Sequence, residues 1–381
     1  MTEATPAPGD LVLPRAEIPV AADRAYLDTA YMTPLPTSVA EAMAADARRA
    51  GRLGSRGQDD RAAAEEGVRA AAARLLGSHP DDVAFVANTT QGVGLVAAGL
   101  DWAPGDRVVV AAGDHPSIVL PFRARADAGV EVVEVATGPG AALDPDAVAA
   151  ALEAGRVRVV AVSWVRADHG ARADLAALAT LAHDHGALLC ADLIQGLGAL
   201  PCDLGAWGVD AAAAGAQKWL LGPHGVGVAH LAPDLRERLR VPAPSQHHLE
   251  GGSGPLPHGP TARRHESGSA NHTGRAGLGA ALALLERAGP AAVAGRVTAL
   301  ADALADGLAD VGAEVLSARA AGSGSGIVSV RVPGIDAAEA VARLDAAGVV
   351  AAARADAVRF SAHAWNDEGD VAAAVAAVAA L

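Results

Sequence analysis

Residues 187–218 read ALLCADLIQGLGALPCDLGAWGVDAAAAGAQK. Two short apolar runs, 187–191 and 211–214, are each followed by polar residues, an aspartate and glutamine after the first and a glutamine and lysine after the second. Similar runs recur at 83–86, 107–111, 130–135, 157–163 and 226–231, separated by helical segments. Strands alternating with helices predict βαβ units, hence an α/β fold with a mainly parallel, seven-stranded sheet covered by helices on both faces. In such sheets the ligand lies beyond the carboxyl ends of the strands. Helical periodicity is expected at 37–49 and 61–76 before the sheet and across 277–308 after it. Strands at 327–332, 349–354 and 357–360, with helices at 337–346 and 368–380, describe a smaller α+β unit. The expected division is a leader with a large domain over 1–285 and a small C-terminal α+β domain over 286–381. The stretch 241–271 is rich in Pro, Gly, Ser and His without periodicity, which marks a functional or interface segment.

Of 381 residues, 51% are apolar but only 3% aromatic, so close backbone packing must replace large side chains in much of the interior. A net charge of -14 argues against nucleic acid or an acidic membrane surface as partner, since both need a basic patch. Two cysteines, Cys190 and Cys202, form neither a disulfide framework nor a CxxC pair, and a reducing cytoplasm is expected. The N-terminus lacks the pattern of a signal peptide. Alanine-rich stretches such as 371–381 are too short to span a bilayer.

Lys218 is the only lysine, with arginine supplying the other 29 of the 30 basic residues. A guanidinium stays protonated, whereas a desolvated lysine loses its proton and forms Schiff bases. Either Lys218 is kept for its amine or an arginine-rich chain left one lysine by chance. Asp192 stands 26 residues earlier at the end of the preceding strand. A pyridine-type cofactor needs a carboxylate to keep its ring nitrogen protonated and a lysine to hold its aldehyde, with Gln195 then near the ring oxygen. In 88–92 (NTTQG) a strand gives way to a helix whose amides and hydroxyls suit a phosphate, unless Thr89 is an ordinary N-cap. His115 follows a strand and either stacks on a flat ring or is a solvated loop histidine. The glycine-rich 222–227 follows a helix-like run, which disfavours a dinucleotide fingerprint. The pairs His183 and His185, and His247 and His248, lack the spacing and third ligand of a metal site.

With these residues in place, the chain resembles the class V aminotransferase family of pyridoxal-phosphate enzymes, which includes cysteine desulfurases, isopenicillin N epimerase and kynureninase. The resemblance runs from 25–30 (AYLDTA) to 358–361 (VRFS), and its ordered core is Thr89, Thr90, His115, Asp192, Gln195, Lys218 and Arg359. It implies an aspartate aminotransferase-type fold and pyridoxal 5'-phosphate as cofactor. It further implies that Lys218 forms the internal aldimine and shuttles the α-proton, Asp192 pairs with the pyridinium nitrogen, Gln195 contacts the ring oxygen and His115 stacks on the ring. Thr89 and Thr90 would bind phosphate, with Gln217 also beside the cofactor. Ser269, in 265–271 (HESGSAN), would reach the phosphate of a neighbouring subunit, which implies a homodimer with shared sites. Arg359 would clamp the substrate α-carboxylate, with Ala30 and Tyr31 beside it.

Departures from the family pattern bear on the reaction. Desulfurases carry a catalytic cysteine on a loop before the carboxylate-binding arginine, but no cysteine follows Cys202 here. Gln217 replaces their histidine before the lysine and Gly215 replaces a serine. Trp164 stands where they have an asparagine facing the ring. Arg166 either meets substrate or forms a surface pair. The expected function is β-elimination from an L-amino acid, of the carbon-sulfur lyase type found in the similar hercynylcysteine sulfoxide lyases, giving pyruvate. The alternatives are cysteine desulfuration, epimerisation, transamination, kynureninase-type cleavage or, outside catalysis, a cofactor-bound regulatory protein.

Overall fold

The structure, a computed structural model, describes residues 12–245 and 259–381. In chain order it has a short strand β1 (Ala25–Tyr26) and helices α1 (Thr37–Leu53) and α2 (Gln58–Leu76). Strands and helices then alternate through β2 (Val83–Val86), α3 (Thr89–Gly99), β3 (Arg107–Ala111), α4 (Pro116–Arg123), β4 (Glu131–Val135) and α5 (Pro145–Glu153). The alternation continues through β5 (Val157–Ser163), α6 (Leu175–Asp184), β6 (Leu188–Asp192), α7 (Leu204–Trp207), β7 (Ala211–Gly215), β8 (Gly227–Leu231) and α8 (Pro233–Arg238). These strands form the expected seven-stranded sheet, in the order β2-β8-β7-β6-β5-β3-β4, with β8 antiparallel to both neighbours and the remaining pairs parallel.

Side chains two apart on a strand share a face, and both faces here are apolar because both are covered. Val108 and Val110 join Ala84, Ala161 and Ala213 against Val93 and Val96 of α3 and Ile118 and Phe122 of α4. Val109 and Ala111 join Val160 and Leu189 on the other face, against Leu76, Leu152, Leu178 and Leu282. The alanine run of β7 lets α3 sit close: a Cβ on Gly92 would lie 2.4 Å from the Cβ of Ala213.

Helices α9 (His272–Ala288) and α10 (Pro290–Asp310) lead to a four-stranded antiparallel sheet in the order β12-β13-β10-β9. Its strands are β9 (Glu314–Val315), β10 (Ile327–Arg331), β12 (Ala352–Arg354) and β13 (Ala357–Ser361). The single strand expected at 349–354 is two: β11 (Val349–Val350) turns away to pair in parallel with β1, and β12 pairs with β13. β1 is only two residues long, too short to show a pattern in the sequence. Helices α11 (Ala337–Ala346) and α12 (Glu368–Ala379) complete an apolar cluster of Leu304, Leu344, Phe360 and Val378, to which Ala25 and Leu27 also belong. The expected helix ends shift modestly: α1 runs on to Leu53 and α2 starts at Gln58. Within 241–271 the described residues include a 3-10 turn at Ala262–His265, while His247 and His248 lie outside the described residues. Among the described residues no helix is long and apolar enough to cross a membrane.

The two parts meet at His363. Its Nδ1 accepts from the Ala364 N–H at 2.7 Å, so Nε2 carries the proton and donates to the Trp219 carbonyl at 3.0 Å. Burial pushes the His363 pKa down to about 4, and that of buried His230 likewise to about 4. Both imidazoles stay neutral in the folded chain while the unfolded chain protonates them below about 6.5. Stability should therefore be lost as pH falls from about 6.5 to 4, by about 3 kcal/mol for each histidine at most. Denaturant unfolding at pH 7.5 and 5.0 checks this, with His363→Asn expected to flatten the dependence. An unchanged pH slope in that variant would contradict the assignment.

Candidate active site

A cavity of about 630 Å³ opens where the carboxyl ends of the central strands meet the chain around β1 and β13. Asn88, Thr89 and Thr90 follow β2, His115 and Ser117 follow β3, Ile194 and Gln195 follow β6, and Gln217 and Lys218 follow β7. From the other side come Ala30, Tyr31, Met32, Arg354 and Arg359. Thr89, Thr90, His115, Gln195 and Lys218 were singled out because each closely follows an apolar run, whereas Gln217, Ala30, Tyr31 and Arg359 were expected from the family resemblance.

Lys218 sits in a tight turn. Gly222 N–H returns to the Ala216 carbonyl at 2.8 Å and Leu221 N–H to the Lys218 carbonyl at 3.0 Å, with Leu221 held at φ 59°. A non-glycine residue in that region costs about 1–3 kcal/mol, which the surrounding packing sustains. The turn is locked from below: Trp219 is fully buried, its Nε1–H donates to Gln195 Oε1 at 2.9 Å, and its carbonyl is held by His363. Burial lowers the Lys218 pKa against the pull of Asp192, with Arg359 and Arg354 adding to the fall. A lysine so placed reaches its nucleophilic neutral form more readily.

Asp192 lies beneath the cavity, 2% exposed. Its Oδ1 accepts the Ile194 N–H at 2.9 Å, whereas buried Oδ2 has no hydrogen-bond partner among the described residues. Burial raises its pKa and the nearby Asp114 adds to the rise, opposed by the Ile194 N–H and by Lys218. Asp114 is itself engaged, accepting from Ser163 N–H at 3.0 Å and Ser163 Oγ at 2.6 Å. Gln195 donates from Nε2 to the Ala30 carbonyl at 2.9 Å, leaving one amide hydrogen for the cavity.

The residue that caps α3 is Asn88, not Thr89: Asn88 Oδ1 accepts the Gln91 N–H at 2.9 Å. Thr89, buried, is thus released to accept the Gly215 N–H at 3.2 Å, and Thr90 Oγ1 bonds Ser117 Oγ at 3.0 Å. Two helix N-termini, of α3 and α4, flank these hydroxyls, an arrangement suited to an anion. His115 Nδ1 accepts the Ser117 N–H at 3.2 Å, so the loop histidine is a helix cap with its ring on the cavity wall. Burial lowers its pKa, with Lys218 next in effect. Gly215 and Gln217 are complementary, since a Cβ at 215 would meet Gln217 Oε1 at 2.4 Å.

Arg359 is 1% exposed; Nη1 donates to the Ala167 carbonyl at 2.7 Å and Nη2 to Asp28 Oδ1 at 3.2 Å. Asp28 arrives because the chain after β1 runs beside Ser361, whose N–H donates to the Leu27 carbonyl at 2.6 Å. Arg354, His224 and Met32 also line the cavity and were missed, because they follow no strand of the large sheet or stand in a hairpin with no motif. Arg166 does not line the cavity. Its guanidinium is buried against Asp168, at 2.8 Å, and the carbonyls of Ala112 and Gly113, so it braces the loop after β3. Trp164 does not face the cavity either; it packs on Trp207 with ring centroids 5.4 Å apart and fills the space over Gly196. Ser269 is exposed on the loop before α9 and does not line this cavity.

Comparison with known proteins shows the family and the fold. The aminotransferase class-V family matches residues 25–371. A "probable cysteine desulfurase" of Methanothermobacter thermautotrophicus is 32% identical over 229 residues, 59% of this chain and 57% of that one. A cysteine desulfurase of Klebsiella pneumoniae is 32% identical over 282 residues, 69% of this chain and 67% of that one. Among solved structures, the cystine C-S lyase C-DES with its product cysteine persulfide superposes with a TM-score of 0.87 at 24% identity, covering 95% of this chain and 99% of that one. At that identity the likeness establishes the shared fold.

Neither cysteine lines the cavity: Cys190 is 1% exposed within β6, and Cys202 Sγ lies 3.8 Å from the Leu76 carbonyl. Burial pushes both thiols well up, which removes the thiolate that reacts. Titration with Ellman's reagent should find no fast-reacting thiol in the native protein and two in guanidinium. A thiol that reacts within seconds in the native state, with loss of cofactor-dependent activity, would contradict this placement.

Proposed function

We infer, from the premise that this chain belongs to the class V aminotransferase family of pyridoxal-phosphate-dependent enzymes, that it is a carbon-sulfur lyase acting on an S-substituted L-cysteine. The observation that carries the choice of reaction is the hairpin before Arg359. Arg354 pairs directly with Ala357, so Ala355 and Asp356 are the whole connection between β12 and β13. No loop intervenes there to bring a thiol over the cavity, and neither thiol lines it: Cys190 is buried within β6 and Cys202 is half-buried beside Leu76. A persulfide-forming reaction has no acceptor in this arrangement, whereas β-elimination needs none.

The residues present fit the cofactor. Asp192 Oδ2, buried and without a hydrogen-bond partner, suits a cationic ring N–H, and Lys218 is the amine in the same cavity. Thr89, Thr90 and the N-termini of α3 and α4 suit the phosphate, and the remaining N–H of Gln195 and the side chain of Gln217 face the same space. Pyridoxal 5'-phosphate supplies an aldehyde that condenses with amines and a protonated ring that withdraws electrons from a bond broken at the α-carbon.

The chain supplies the rest. Arg359, fixed by Asp28 and the Ala167 carbonyl, offers its fork to the α-carboxylate and orients the substrate. Lys218 Nζ, its pKa lowered by burial, accepts the α-proton and returns a proton to the departing sulfur. Ala30 holds Gln195 in place, and Tyr31 and Met32 form the mouth. Overall, RSCH2CH(NH3+)COO- and water give RSH, pyruvate and ammonium. The exposed Ser269, and Tyr31 at 61% exposure, support a homodimer in which a second copy covers the mouth, and the two unpaired cysteines agree with a cytoplasmic setting.

Product analysis after incubation with a panel of S-substituted cysteines and cystine tests the reaction. Pyruvate, ammonium and the sulfur product, a free thiol from an S-substituted cysteine or cysteine persulfide from cystine, should appear in equal amounts, and Lys218→Ala should lower the rate by at least about 10²- to 10⁴-fold. Alanine with persulfide sulfur would make it a desulfurase, a keto-acid requirement a transaminase, and loss of chirality alone an epimerase. Anthranilate released from kynurenine would make it a kynureninase. Sedimentation at micromolar concentration should give the mass of two chains.

A further inference from the structure

The cavity carries three cations against two carboxylates, and one of the cations forms no ion pair among the described residues: Asp28, which pairs with Arg359, feels Arg354 only at longer range. Lys218 stands over Asp192, and Arg359 is paired with Asp28 at 3.2 Å. Arg354 lines the same cavity with no carboxylate in ion-pair range among the described residues. Its Nη1 donates to the adjacent Ala353 carbonyl at 2.8 Å, and its guanidinium carbon lies 5.6 Å from the Tyr31 ring centroid. Those contacts orient the group without neutralising it.

The backbone holds it there at a cost. The two-residue turn sets Ala355 at φ 50°, a region that favours glycine. The acid in that turn is directed away: Asp356 pairs with Arg331 Nε at 2.6 Å on the outer surface. Arg354 and Arg359 therefore face one space, and the Arg354 charge disfavours that of Arg359. A bound anion relieves that repulsion, and one α-carboxylate on Arg359 relieves only part of it.

We propose that Arg354 is a second anion-binding group, and that the substrate of this site carries an acid on its β-substituent in addition to the α-carboxylate. The inference rests on the reading of the cavity as an amino-acid site. It narrows the class to S-substituted cysteines ending in a carboxylate or sulfonate, with Arg359 taking the α-carboxylate and Arg354 the distal acid. The Tyr31 ring stacks beside Arg354 at the mouth, where the distal group of an extended substrate would lie. Neutral S-alkyl cysteines of equal length are the poor substrates.

Calorimetric titration of unreactive acids into the pyridoxal-phosphate-loaded protein tests this without turnover. Succinate is compared with butyrate, and glutarate with pentanoate, on the wild type, Arg354→Gln and Arg354→Lys. The diacids should bind about 10- to 100-fold more tightly than the matched monoacids. Arg354→Gln should abolish that preference while leaving butyrate nearly unchanged, and Arg354→Lys should keep part of it. Arg331→Gln, outside the cavity, should bind like wild type. Equal affinity for diacid and monoacid in the wild type would overturn the proposal. So would an equal loss for both acids in Arg354→Gln, which would assign both arginines to one carboxylate. The titration is repeated without added pyridoxal phosphate. A diacid preference that persists in a protein unable to take up the cofactor would sink the functional reading and leave Arg354 as an anion site.

Discussion

A buried carboxylate with one oxygen lacking any hydrogen bond governs the rest of this molecule. Asp192 ends β6 near the middle of the sheet, and only its Oδ1 is engaged. Leaving a buried acceptor unsatisfied costs about 1–3 kcal/mol, and more when it is charged. Such a group persists where a ligand completes it, and its pKa rises until one does. Lys218 answers it from the end of the neighbouring strand. The two groups are complementary in charge but too specialised to be explained as an internal ion pair: Lys218 lines the cavity while Asp192 lies under it.

The surrounding residues follow from holding that pair still. The Lys218 turn is strained at Leu221 and pinned through Trp219 by Gln195 and His363, one from each part of the chain. Gln195 in turn fixes the Ala30 carbonyl, and the same segment delivers Asp28 to Arg359. A change at His363 thus reaches the Lys218 turn through one hydrogen bond to Trp219, and a change at Ala30 through two, by way of Gln195. The short hairpin carrying Arg354 and Arg359 joins β12 to β13 through Ala355 and Asp356 alone, with no thiol in the turn, and it brings a second guanidinium into the cavity.

Much of this was legible in the sequence, for physical reasons. Strands buried on both faces read as continuous apolar runs, so β2, β3 and β5 were located with their ends. Thr89 and Thr90 after β2, His115 after β3, Asp192 and Gln195 at and after the end of β6, and Lys218 after β7 share one cavity or its floor. What stayed hidden depended on distant pairing. β1 and β11 are two residues each and exist only because they pair. The Asn88 cap competes with Thr89 for the same role, and both suit a helix start. Trp164 and Arg166 follow β5 as a site residue would, but pack sideways into Trp207 and Asp168. Arg354 had no signal, since a lone arginine in an alanine-rich hairpin looks like surface.

Absorption spectroscopy, followed by borohydride reduction and peptide mapping, tests the pairing of Lys218 with Asp192 most directly. The wild-type protein with pyridoxal phosphate should show a visible band, and reduction should fix one cofactor per chain on Lys218. Lys218→Ala should lack the covalent link, and Asp192→Asn should shift the band's pH dependence. No visible band and no labelled Lys218 after saturation with the cofactor would contradict the account at its root.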